Sequence, residues 1–251
     1  MKTLLRIMAV LTLAFTAGTA AAATLKIGVT SSVPYGFVDP AGSPPQGYSV
    51  DLTNGIARDA GLDIEVVYFP AFGEVIPALL DKSIDVAATN MFATEARKAM
   101  GIDFSDAVAK ATDAMLVNRS DGQAYRSFDD LKGEVVGTIA GSVYEGDLEK
   151  SGRFKEVRVY RTSEDLFKAI SGGEVKAGES AADLSRFLVA KGAFPDVVLA
   201  EGYSPAYSGT VHFGVRKGDP VLAPINTSLA KLRADGTVAA LAKKWGVVPP
   251  E

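Results

Sequence analysis

Short apolar runs rich in β-branched residues alternate with amphipathic segments of helical period along nearly the whole of this chain, and few folds accept that alternation. It implies α/β organisation with mostly parallel sheets. In a first series, residues 25–29, 64–69 and 84–88 read as strands. A helix entered from Gly47 carries Ile56, Ala57 and Ala60 on one face and stops at Gly61. A second helix over 74–81 turns Val75, Ile76, Leu79 and Leu80 inward, with Pro77 tolerated near its first turn. The apolar run 114–117 and the polar stretch 118–125 lead into a second series. There, 135–139, 157–160, 197–199 and 210–215 read as strands. Ser127 to Asp130 offer a capping box, Gly141-Ser142 turn into a segment over 143–150, Thr162 caps a helix through Ile170, and 183–191 is a further helix. Helices over 222–233 and 238–245 close the chain. Two similar α/β lobes are the predicted result.

The chain opens with Lys2 and Arg6, an apolar run over 7–17 and small residues ending in Ala20 to Ala23, the three parts of a cleavable export signal over 1–23. That run is too short to anchor a protein in a membrane. The expected mature protein begins near Thr24 and is soluble and periplasmic. It contains no cysteine, which excludes disulfides, thiol nucleophiles, thiolate metal sites and a lipid-modified cysteine. Losing Lys2 and Arg6 leaves 24 basic residues against 30 acidic ones, a net charge of −6 without any basic block, so nucleic acid is not an expected partner.

Seven segments in order carry a resemblance: Gly47-Tyr48-Ser49-Val50-Asp51-Leu52, Ile76-Pro77-Ala78-Leu79, Thr94-Glu95-Ala96-Arg97, Asp103-Phe104-Ser105, Asp130-Leu131-Lys132-Gly133, Val215-Arg216-Lys217-Gly218-Asp219-Pro220, and Asp235-Gly236-Thr237 with Lys244-Trp245. Together they resemble the bacterial extracellular solute-binding proteins of the amino-acid type, over the whole mature chain. The resemblance implies the two-lobed periplasmic binding protein fold, with two hinge crossovers and a ligand cleft between the lobes. It places lobe one at 24–113 plus 212–251, with the closing helices returning to it, and lobe two at 114–211. It further implies a monomer that delivers a small carboxylate-bearing solute to an inner-membrane ABC permease, with no cofactor.

A small carboxylate trapped between closing lobes must exchange its hydration for charge-assisted hydrogen bonds, and a guanidinium fork supplies two in parallel. Arg97 is the candidate, reached from the third strand through a loop over 89–94 and so set at the carboxyl edge of a sheet. Its bland alternative is a surface arginine paired with Glu95 or Asp103. The resemblance gives Arg97 the grip on the ligand carboxylate. Gly141 and Ser142 end a strand and open a helix, where free amides and a hydroxyl face an anion or merely cap the helix. Flat aromatic walls complete such a pocket. Tyr35 and Phe72 match the family's lining segments, and Tyr35, between proline and glycine, is expected to be exposed. Asn90 and Phe92 belong to the loop before Arg97.

One departure from the family bears on the ligand. Where the resemblance puts an aspartate that holds the ligand's ammonium group, counting back from Ala190-Lys191 gives Ala181, and Lys176 replaces an earlier aspartate. Glu179 and Asp183, each two residues away, are the substitutes. The stretch between Arg97 and Phe104 is also one residue longer than in the family. Some proteins of this fold, the cyclohexadienyl dehydratases, are enzymes, and a periplasmic enzyme of that kind is the alternative reading, with Glu179 as the only plausible general acid. Against it, no Ser-His-Asp constellation or metal-ligand spacing is visible, and the lone His212 lies in an apolar strand.

Overall fold

The computed structural model describes residues 24–38 and 42–250, so the expected export signal lies outside the described residues. The chain begins with β1 (Leu25–Thr30), then α1 (Tyr48–Ala60), β2 (Ile64–Phe69), α2 (Val75–Leu80) and β3 (Val86–Phe92). Next come the short helix α3 (Glu95–Ala99), the short strand β4 (Ile102–Phe104) and the long strand β5 (Ala109–Asn118). The second series is β6 (Val135–Ile139), α4 (Val143–Ser151), β7 (Glu156–Tyr160), α5 (Ser163–Ser171), β8 (Ala177–Ala181), α6 (Ala182–Ala190) and β9 (Val197–Leu199). The return strand β10 (Ser208–Arg216) leads to α7 (Leu222–Ala234) and α8 (Thr237–Trp245).

Most expected elements are present, and their ends have local causes. Gly61 ends α1 in the left-handed conformation, with its amide returned to the Ala57 carbonyl. Thr162 caps α5 through the Asp165 amide, and Ser127 forms the expected capping box with Asp130. Leu52 and Ile56 of α1 are buried with Ile27 and Val29 of β1, and Ile225, Leu229 and Val238 of the closing helices join the same core. In the second lobe Met115, Val136 and Leu148 fill one side, and Leu116, Leu166, Phe167 and Ile170 the other.

The fold is two-lobed α/β, but the sheet is mixed rather than mostly parallel. Strands run in the order β2-β1-β3-β10-β5-β8-β6-β7. β1 pairs in parallel with β2 and β3, and β6 with β7 and β8, whereas every pairing of β10 and of β5 is antiparallel. The antiparallel centre arises because β5 and β10 are shared. Residues 109–112 of β5 pair with 208–211 of β10, while Asp113 to Val117 pair with β8. The chain therefore crosses between the two parallel halves on two adjacent extended strands, the expected hinge.

A second difference concerns residues 89–92, expected as loop. They continue β3, because β10 pairs antiparallel with its end, Phe92 opposite Val211. The strand partner arrives from more than a hundred residues away, so nothing local announces it. His212 of β10 is satisfied by the Ser105 carbonyl at 2.7 Å and the Thr210 hydroxyl at 3.0 Å.

Candidate functional site

The carboxyl ends of β1, β3 and β6 converge on one cleft, as strand ends in α/β sheets do. The cleft holds a small cavity of about 70 Å³. Lobe one lines it with Ser31, Ser32, Phe72, Asn90, Phe92 and Arg97, and lobe two with Ile139, Ser142, Tyr144, Ser163, Ser180 and Ala181, among others.

Arg97 sits in α3, whose N-cap Thr94 accepts the Arg97 amide at 3.3 Å. The residue is only 5% exposed. Its Nη1 donates to the Phe92 carbonyl at 3.0 Å, and its Nη2 crosses the cleft to the Gly141 carbonyl at 3.1 Å. The guanidinium also lies 5.7 Å from the centre of the Phe72 ring. Burial lowers its pKa to about 10, so it stays charged at neutral pH. A guanidinium has five N–H donors; two are held by these carbonyls, leaving three to offer an anion. The bland reading of Arg97 is overturned, since Glu95 pairs with Lys98 and Arg97 is buried.

Ser142 lines the cleft with a hydroxyl still able to donate, whereas the Gly141 amide is not free as expected. The Gly141 amide donates to Glu145 Oε2 at 2.6 Å, and the Ser142 hydroxyl accepts the Glu145 amide at 3.3 Å. Glu145, in the first turn of α4, reaches back to the Gly141 amide and occupies it. Gly141 contributes its carbonyl to Arg97 instead.

Phe72, Asn90 and Phe92 line the cleft, with Asn90 and Phe92 on a strand. Asn90 accepts a hydrogen bond from Ser32 at 3.4 Å, and Phe92 tilts against Tyr207 at 5.9 Å. Tyr35 departs from expectation. It is 2% exposed, its ring set edge-on to Tyr48, and its hydroxyl donates across the lobes to Asp183 Oδ2 at 2.9 Å. Flanking proline and glycine do not expose it, because Gly47 lets the chain fold back against Tyr35. Gly47 has φ 132°, and a Cβ there would meet the Tyr35 carbonyl oxygen at 2.4 Å.

Neither proposed substitute for an ammonium-binding acid lines the cleft. Asp183 is taken by Tyr35 and lies 3.6 Å from Arg186. Glu179, 3% exposed, turns toward Asp113 on β5 and shares a hydrogen bond with it. Burial, then repulsion from Asp113 and Asp147, raises the Glu179 pKa to about 9, which keeps it neutral at pH 7. Asp113 also receives the Tyr203 hydroxyl and, at 2.8 Å, the Tyr207 amide.

Sequence reasoning missed Ser31, Tyr144, Ser163 and Ser180. Two of them follow a recognisable rule: Ser31 succeeds β1, and Tyr144 opens the helix after β6, both at a sheet's carboxyl edge. Among the described residues no cluster of histidine and acidic side chains fit to hold a metal occurs.

A cleft between two hinged α/β lobes, crossed by one buried guanidinium, defines a binding protein for small solutes. The chain belongs to the bacterial extracellular solute-binding proteins, family 3, whose pattern it matches over residues 25–248. It is 29% identical over 203 residues to the arginine-binding extracellular protein ArtP of Bacillus subtilis, covering 79% of this chain and 77% of that protein. It is 28% identical over 225 residues to the L-cystine-binding protein TcyJ of Escherichia coli, covering 88% and 82%. Among solved structures, an ancestral arginine-binding protein bound to arginine superposes with a TM-score of 0.79 at 30% identity, covering 88% of this chain and 97% of that one.

Proposed function

We propose that this protein is the periplasmic receptor of an ABC importer, closing its lobes on a small carboxylate-bearing solute, an amino acid or amino-acid derivative, and presenting it to an inner-membrane permease as a monomer. Residues 1–23 are the cleaved export signal in this reading, 24–113 with 212–251 form lobe one, and 114–211 lobe two. In keeping with it, none of the helices in the described residues is long and apolar enough to cross a membrane.

The observation that carries the proposal is Arg97, a buried guanidinium that lines a cleft shared by both lobes and has more N–H groups than its two carbonyl partners use. Such a group strongly favours a carboxylate, because the pair replaces the hydration both ions lose. A binding role is favoured over a dehydratase because no carboxyl group lines the cleft among the described residues, and Glu179, the acid that chemistry would use, is engaged with Asp113. Calorimetric titration with carboxylate solutes tests the proposal. One-to-one binding without turnover, weakened when Arg97 is replaced, supports it; a carboxylate that is consumed and released as a different product refutes it.

A further inference from the structure

The cleft's balance of charge narrows the ligand class. Arg97 is the only charged side chain lining it among the described residues. The acids nearby do not line the cleft, and each has a partner elsewhere. Asp183 accepts the Tyr35 hydroxyl and lies beside Arg186; Glu179 and Asp113 share a hydrogen bond; Asp147 accepts the Tyr207 hydroxyl. An α-amino acid would satisfy Arg97 with its carboxylate and leave its ammonium without a carboxylate partner in the cleft wall. A carboxylate without an ammonium makes no such demand.

The position nearest to supplying the missing charge is occupied by a methyl group. Ala181 lines the cleft at the end of β8 and is the N-cap of α6, where no side chain caps the helix. Alanine is among the poorer residues at an N-cap and aspartate among the better, so helix stability alone gives no reason for alanine here.

The polar groups that do face the cleft are hydroxyls. Ser31 from lobe one and Ser163 and Ser180 from lobe two line it, and their side-chain oxygens have no hydrogen-bond partner among the described residues. Each hydroxyl can donate and accept, which suits a ligand hydroxyl or carbonyl oxygen on either side of the closed cleft. A quaternary ammonium finds less: the Phe72 ring that would hold it already faces Arg97 at 5.7 Å, and a second cation there is repelled.

We propose, on the basis of the receptor reading above but in place of its amino-acid ligand, that the solute is a monoanionic carboxylate carrying hydroxyl or carbonyl oxygens and no free α-ammonium group, a hydroxy or oxo acid, held by Arg97 at one end and by Ser31, Ser163 and Ser180 along its length.

Titration of the dialysed mature protein with skeleton-matched pairs decides this: lactate and pyruvate against alanine, glycerate against serine, 2-hydroxyisovalerate against valine, with glycine betaine alongside. In the preferred skeleton the hydroxy or oxo acid is expected to bind at least 30-fold tighter than its amino partner. Ala181→Asp, which adds a carboxylate to the cleft and an N-cap to α6, is expected to reverse that order while the ligand-free melting temperature holds or rises. An α-amino acid binding wild type more tightly than its hydroxy analogue, with that preference lost in Asp183→Asn, would overturn the inference and leave the receptor reading standing. Glycine betaine as the tightest ligand would overturn it too. Binding of no carboxylate at all would sink the receptor reading together with the inference.

Discussion

At Arg97 the chemistry of the cleft rests on one side chain. Its buried guanidinium holds two backbone carbonyls, and in the proposed receptor its remaining N–H groups are offered to the solute. Removing it leaves the solute carboxylate desolvated and unpaired, at a cost of about 2–5 kcal/mol, or roughly 30-fold and upward in affinity. Calorimetry should therefore show at least about 30-fold weaker binding in Arg97→Ala. Arg97→Lys should recover only part of it, since an ammonium cannot bridge Phe92, Gly141 and a carboxylate in one plane. Unchanged affinity in Arg97→Ala would remove the anchor. Arg97 was legible in the sequence because a charge set just beyond a strand's carboxyl edge has few uses. Tyr35 was not, for its burial depends on Gly47 and Tyr48, a contact that local sequence does not encode. The Gly141 amide differs, because its partner, Glu145, lies only four residues on and is present in the local sequence.

Among the elements, strands built on apolar runs were legible, β9 and β10 included, and the polar stretches that extend β3 and β5 were not. β1, β2, β6 and β7 pair in parallel within their own series and announce themselves as apolar runs. The end of β3 and the first part of β5 owe their extension to β10, the last strand to be added. The junction of β5 and β8 also carries a pH dependence. Glu179 titrates near 4.5 when unfolded and about 9 when folded, the rise caused by burial and by Asp113 and Asp147, with Tyr203 and Tyr144 packed nearby. The folded state therefore holds a proton that the unfolded state has released. Stability from this group is greatest below about 4.5, falls as pH rises toward about 9, and is level above that. Asp183, whose pKa burial also raises, adds to the slope in the same direction. Glu179→Gln keeps a neutral hydrogen-bonding side chain and removes the proton linkage. Calorimetric melting between pH 5 and pH 8.5 should show wild type losing about 4 °C or more relative to the variant, 1 kcal/mol being worth about 2–4 °C in a chain of this size. Parallel pH profiles for the two proteins would show that Glu179 is not the titrating group.

For the whole molecule, the lobes meet through a few polar links and one very close backbone approach. Arg97 to Gly141, Tyr35 to Asp183, and Arg161 to Glu74 at 3.1 Å all join residues of one lobe to the other. Each exchanges partners with water when the lobes part, so none holds the closed form strongly by itself. The closest approach is Gly73 against Ala140 and Gly141. A Cβ on Gly73 would lie 3.1 Å from the Ala140 carbonyl oxygen, and one on Gly141 would lie 2.8 Å from the Gly73 Cα. Gly141 has φ 74°, so a side chain there also strains the backbone whether the lobes are open or closed. Gly73 has no positive φ, and a side chain on it obstructs closure alone. Because ligand binding draws on closure, a variant that cannot close fully loses every contact the far lobe makes with the solute. Gly73→Val is thus expected to weaken solute binding at least tenfold, about 1.4 kcal/mol, while the ligand-free melting temperature stays within about 2 °C of wild type. X-ray scattering should show the solute-induced fall in radius of gyration in wild type and its loss in the variant. If Gly73→Val closes on its solute with wild-type compaction and affinity, this contact does not limit closure, and the polar links must set the closed geometry instead.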